Sequence, residues 1–279
     1  MSRPMPAFLI LLQGCLMATI ERLFIYPIKS CAPVEVEHFE LDALGPVGDR
    51  RYMLVNEQGK FLSQRQLPQM ARIQAHYQGE ALVITLPGQA PMEVSLSEER
   101  ADVEVWGDVV SARLAAQAVH DRLSEFLGRA CRLAYMDEHS ERLVTAKYSS
   151  GDRQVGFADG FPLLVVNQNS LDFLSELLQR TVDMRRFRPN VVLSGEDIPH
   201  LDEYQWRTLN LSNGHLDVVK LCARCVIPTR DMDSLERQGD VLDALKEHYR
   251  VDGKIIFGQN AIHQQLDSLA VGQSVDVVR

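Results

Sequence analysis

Residues 19–115 are broken into short apolar runs, each closed by a turn. Leu23-Phe24-Ile25-Tyr26 stops at Pro27, and Val34, Val36 and Phe39 alternate with polar neighbours. Residues 52–55 pass through Gln58-Gly59 to Phe61 and Leu62, which reads as a hairpin. The runs 71–77, 81–86, 92–96, 103–106 and 109–114 continue the series. Regularly spaced strands with turn signals between them point to a β-barrel or sandwich.

Beyond this run the pattern is mixed. Val119, Leu123, Phe126 and Leu127 share one helical face, with Gly128 as the stop, and 131–135 returns to strand. Residues 137–152 are polar and carry Ser149-Ser150-Gly151, the best candidate for a junction. Residues 163–166 read as a buried strand. Asn169 is expected to cap a helix with Leu171, Leu174, Leu177 and Leu178 inward. Strands follow at 190–193 and 215–221, then a helix capped by Asp240 with Leu242 and Leu245, then strands at 255–257 and 275–278.

Charge and composition exclude several classes. A formal net charge of -9 over 279 residues argues against general nucleic-acid binding and against an anionic membrane surface, so an anionic ligand must be held by a local basic cluster. Five cysteines, an odd number with no disulfide-framework spacing, suit a reducing cytoplasm. Residues 8–12 are far too short an apolar stretch to span a bilayer. They faintly resemble a signal ending at Cys15, but Met17 reads as a second start, and residues 1–16 are expected to lie outside the fold.

Cys222-Ala223-Arg224-Cys225 ends the 215–221 run, and Pro228 follows. A guanidinium beside two thiols favours thiolate, the form that attacks and that binds metal. A zinc site would need a second cysteine pair, but Cys15, Cys31 and Cys131 are scattered. A thioredoxin-like redox pair would open a helix, whereas this one runs into proline. Two core cysteines at a strand end are the remaining plain alternative. Basic groups recur at other strand boundaries: Lys29-Ser30, Asp49-Arg50-Arg51, Arg65 and Arg188-Pro189-Asn190. Lysine offers a point charge to a phosphate, arginine a two-pronged fork.

Five motifs occur in order: 23–30 (LFIYPIKS), 157–162 (FADGFP), 187–190 (FRPN), 222–225 (CARC) and 257–260 (FGQN). From about residue 17 onward the chain resembles the MOSC superfamily. It is most similar to bacterial MOSC reductases of N-hydroxylated compounds and to mitochondrial amidoxime-reducing components. The resemblance implies a β-rich α+β fold: a MOSC β-barrel with packed helices at 137–279, preceded by an N-terminal β-barrel-like domain at 17–136. It implies a molybdenum cofactor (Mo-molybdopterin) with Cys225 as the protein's metal ligand. Lys29 and Ser30 would meet the terminal phosphate, and Arg50, Arg188, Asn190 and Arg224 would make the other cofactor contacts. Cys222 would stand one step back from the metal. Asp159 is a candidate proton shuttle, although an Asp before Gly is more often a turn former. Gly160, Phe161 and Ala223 depart from the mitochondrial pattern, which has hydroxyl residues there.

The implied activity is oxygen removal from hydroxylaminopurines, amidoximes and hydroxylamines between Mo(IV) and Mo(VI), a detoxification chemistry on small molecules. Soft sulfur ligands suit such a centre. The alternative is a cofactor carrier or sulfur-transfer module without turnover of its own. No GxGxxG follows a strand, and the remaining cysteines do not make a four-thiolate set, so a separate flavoprotein or iron–sulfur protein is expected to deliver electrons.

Overall fold

The β-branched and aromatic residues that open the series form Leu16–Ile25, a ten-residue strand with three pairing partners. It runs antiparallel to Val191–Ser194, to Ser274–Val278 and, at its far end, to Val34–Val36. The computed structural model describes residues 16–149 and 153–279. Leu16 already pairs with Val277, while the rest of the leader, Cys15 included, lies outside the described residues, as do Ser150 and Gly151 of the junction.

From these pairings a barrel closes. Its seven staves run Leu163–Asn167, Val191–Ser194, Leu16–Ile25, Ser274–Val278, Thr208–Leu211, Gly214–Ala223 and Lys254–Gln264. The last returns to the first through Leu163↔Ala261 and Val165↔Gln259, so no stave is left with a bare edge. Gly258 permits that closure. Its φ is +78°, and a Cβ there would meet Val166 Cγ2 at 2.7 Å and the Val165 carbonyl at 2.8 Å. Ile20, Leu23, Val165, Leu193, Leu209, Leu216, Ala261 and Val275 fill the interior, at least one from each stave. On the outside, the helices Gln168–Leu177 and Gly239–His248 bury Leu171, Leu174, Val241 and Leu245 against Val166, Val192 and Phe257.

The intervening residues form a second β unit. Tyr52–Val55, Arg132–Tyr135, Asp108–Ala115 and Leu96–Val105 make one sheet; Gln74–Gln78, Ala81–Thr85 and Met92–Glu93 make another. The helix Gln117–Leu127 packs Val119 and Leu123 into this unit, and Gly128 ends it at φ +64°. Several details differ from the sequence reading. Pro68–Arg72 is a 3-10 helix started by its proline, which delays the strand expected over 71–77 to Gln74. Asn167, not Asn169, caps its helix, by accepting the Asn169 N–H at 3.1 Å. Leu177 is exposed, and Val241 is buried in place of Leu242. The strands Thr208–Leu211 and Ser268–Ala270, four and three residues long, are too short for a pattern to stand out. No helix of the described residues is long and apolar enough to cross a membrane.

One buried acid outside the cleft sets a pH dependence. Glu203 is 0% exposed; Ser170 Oγ (2.7 Å) and Asn167 Nδ2 (3.2 Å) both donate to Oε2, and Oε1 has no partner. Burial pushes this carboxyl up to about 7, against the pull of those two donors. The folded state therefore holds a proton that the unfolded chain releases near 4.5, and stability is lost as pH rises through that window to about 7. Glu203→Gln keeps the acceptor and removes the charge. It should gain on the parent protein by on the order of 2 kcal/mol as pH rises from 5 to 7.5. Urea unfolding at several pH values checks this; a difference independent of pH would sink it.

Candidate active site

The loops at one end of the barrel meet the second β unit around a cleft of about 130 Å³. Lys29, Ser30, Arg50, Asp159, Arg188, Asn190, Arg224 and Cys225 all line it. The backbone there is tightly constrained. Ser30, Arg50 and Arg188 hold φ values of +64°, +46° and +57°, a left-handed conformation that costs a non-glycine residue about 1–3 kcal/mol. Close packing maintains it at Arg50, whose N–H donates to the Tyr26 carbonyl (2.7 Å) and whose carbonyl accepts the Phe157 N–H (2.8 Å). Gly156 allows that approach, since a Cβ would come within 3.1 Å of the Arg50 carbonyl.

The motifs interlock through backbone and ring contacts. Asn190 donates to the Phe24 carbonyl and accepts from Arg50 Nη1 (3.0 Å), so it ties the first strand to that guanidinium. Phe187 stacks on Phe257 at 3.7 Å, and its carbonyl accepts Arg224 Nη2 (2.7 Å). Arg224 Nη1 donates to Cys222 Sγ at 3.1 Å. The sequence places this guanidinium between both thiols, yet the sulfur it meets is that of Cys222. Among the described residues, Cys225 Sγ takes only the Ile227 N–H at 3.5 Å, and neither it nor Cys222 carries a disulfide.

Five cations, Lys29, Arg50, Arg65, Arg188 and Arg224, face the cleft against two carboxylates, Asp49 behind Arg50 and Asp159 at the mouth. Arg50 is paired with Asp49 at 2.7 Å, and although burial opposes its charge, Asp49 and Tyr26 hold its pKa up. Arg188 has no carboxylate partner among the described residues. Nη1 donates to the Cys31 carbonyl (2.7 Å), Nη2 is buried without a partner, and burial lowers its pKa. The Tyr26 ring lies between the two guanidiniums, 4.3 Å from Arg50 and 4.2 Å from Arg188. Arg65 and Arg224 each also leave a buried Nε unpaired. Buried cationic N–H groups without acceptors are costly, and they suit a polyanionic ligand. The residues therefore fit a phosphate-bearing cofactor, with a free thiol at Cys225 for its metal.

Lys29 Nζ bonds Asp159 Oδ1 at 2.5 Å and the Phe157 carbonyl at 2.7 Å. Burial pulls its ammonium down to about 8 against the attraction of Asp159. Burial would raise Asp159, but Lys29, the Trp106 N–H and Arg50 together hold its carboxyl well below the usual range. The Asp159 side chain is 77% exposed, so water screens this pairing. Phe61, Ser63 and Trp106 also line the cleft, and buried Arg142 pins the Gly156 and Ala158 carbonyls behind it. The sequence reading did not single these out; a Trp-Gly pair at a hairpin turn was the available signal. Gly160, where the mitochondrial pattern has a hydroxyl residue, leaves open space for a side chain.

The comparisons agree with this architecture. The model for the MOSC N-terminal beta barrel domain matches residues 17–130, and that for the MOSC domain matches residues 152–276. Mitochondrial amidoxime-reducing component 1 of Mus musculus is 30% identical, over 92% of this chain and 81% of its own length. Mitochondrial amidoxime reducing component 2 of Bos taurus is 28% identical, over 92% and 82%. Molybdenum cofactor sulfurase of Danio rerio is 31% identical over 88% of this chain, which spans 32% of that protein. Both domain matches occur in order, on a fold with a closed barrel preceded in large part by a second β unit, and the chain belongs to the MOSC family.

Proposed function

We propose that the protein is a molybdenum-cofactor-dependent reductase of N-hydroxylated compounds: hydroxylaminopurines, amidoximes and hydroxylamines. What supports this most is a free Cys225 thiol sharing one cleft with guanidinium groups that lack protein acceptors. The relatives named for amidoxime reduction, at about the same length, support it further.

When bound, the cofactor would supply two-electron redox chemistry, and with two electrons and two protons R–NH–OH becomes R–NH₂ and water. Cys225 would hold the metal through sulfur. Arg188 and Arg224, which each keep a buried N–H donor without a protein acceptor, would bind the anionic part, with Lys29 and Ser30 at its phosphate. Arg50 and Asn190, locked to each other, would orient that wall of the site. Asp159 stands at the mouth in contact with water, but it holds a proton weakly. Its proposed part is to keep the Lys29 ammonium charged and aimed, passing protons only transiently. Electrons are proposed to come from a separate flavoprotein or iron–sulfur protein in the cytoplasm.

The test is direct. Protein purified from a cofactor-producing host should carry molybdenum and pterin and reduce a hydroxylamine with a one-electron dye, yet stay idle with a reduced nicotinamide alone. Bound cofactor that is released intact with no turnover would favour carriage, the reading suggested by the sulfurase relative. Absence of molybdenum would end both.

A further inference from the structure

Trp106 occupies a position that ordinary turn chemistry disfavours. Val105 pairs with Asp108, so Trp106-Gly107 is a two-residue hairpin loop, with φ of +55° and +93°. Left-handed values at both positions favour Asn-Gly or Asp-Gly, and a bulky aromatic there is strained. The indole is also 46% exposed, so little of that strain is recovered by burial. Yet the ring is fixed. Its Nε1 donates to Asp159 Oδ1 at 3.0 Å, the Phe61 ring lies 4.9 Å away at 52°, and the Arg65 guanidinium sits 4.8 Å from its centroid. Trp106, Phe61, Arg65 and Asp159 line the same cleft as Cys225. A strained, exposed and rigidly anchored ring beside a reactive group is the pattern of a ligand contact rather than of packing.

We propose that Trp106, backed by Phe61 and Arg65, is a stacking platform that makes the cleft select flat, π-bonded N-hydroxylated compounds over aliphatic ones with the same head group. The assignment rests on the reading that the cleft accepts N-hydroxylated nitrogen. The indole face and the guanidinium plane both attract flat π systems, and neither offers anything comparable to an alkyl chain.

Benzamidoxime and acetamidoxime test this, because both are uncharged at neutral pH and differ only in the ring. Titrated calorimetrically into the purified protein without reductant, benzamidoxime should bind about tenfold more tightly, the scale of one good ring stack. It should also quench the emission of exposed Trp106 in preference to that of Trp206, which is 3% exposed. Trp106→Asn restores the favoured turn pair, so it should raise the melting temperature while the ring preference falls toward one. Trp106→Phe keeps a ring and should retain most of the preference, which preserves the test if the first variant misfolds. A purely structural Trp106 predicts the reverse: lower melting temperature, preference intact. That result, equal affinity for the two amidoximes in the parent protein, or failure of both to bind, would overturn the proposal. Turnover is not read, and molybdenum content is measured on the same sample, so failure of the reductase reading remains a separate result.

Discussion

Cys225→Ala is expected to purify without molybdenum, whereas Cys222→Ser should keep most of it. The two thiols are three residues apart and both half-buried, but their surroundings differ. Cys222 packs beside the Phe187 and Phe257 cluster and accepts Arg224 Nη1 at 3.1 Å, so its sulfur is already engaged. Cys225 has one long contact from a backbone N–H and is free to offer a soft ligand. Serine at 222 preserves the acceptor that positions Arg224. Metal per chain by elemental analysis, with pterin released and quantified by fluorescence, decides the matter. Equal molybdenum in Cys225→Ala and the parent protein would remove the central assignment.

Arg188→Met and Arg50→Met should both lose cofactor but move stability in different ways. Arg188 spends its burial on a charge with no carboxylate partner and an unpaired Nη2. Replacing it by a similar apolar volume should leave the cofactor-free protein as stable or more so. Affinity for the anionic cofactor should fall roughly 10- to 100-fold with loss of a charge-assisted contact. Arg50 is different, because Asp49, 3% exposed, would be left buried with only the Tyr26 N–H at 2.8 Å to meet its charge. That uncompensated carboxylate should cost about 3–5 kcal/mol. Melting temperatures of the cofactor-free variants, set beside their pterin content, separate the two effects. Equal destabilisation would mean that Arg188 serves the fold rather than the anion.

Local signals in the sequence were sufficient for much of the secondary structure. A period-two run marks Asp108–Ala115, and a 3.6-residue stripe ending in Gly128 marks Gln117–Leu127. Both depend on neighbours a few residues away, and burial follows from them. The motif residues carried through by family resemblance come together in one cleft, because each sits at a stave end or in a loop beside it. Less was legible where side-chain competition is local but subtle, as in Asn167 capping in place of Asn169.

What only the tertiary structure decided is long-range pairing. Nothing within Leu16–Ile25 says that it becomes a stave between Val191–Ser194 and Ser274–Val278, far along the chain. That position comes from closing a seven-stave barrel, where the requirement is an edge to pair with rather than any local pattern. The same closure distinguishes residues of identical type. Arg50 and Arg188 flank one tyrosine ring, but only Arg50 meets a carboxylate, because Asp49 is its chain neighbour and Arg188 arrives from the other half of the molecule. Charge and chemistry were readable in each residue; which of them remained unpaired and available to a ligand depended on distances across the closed fold.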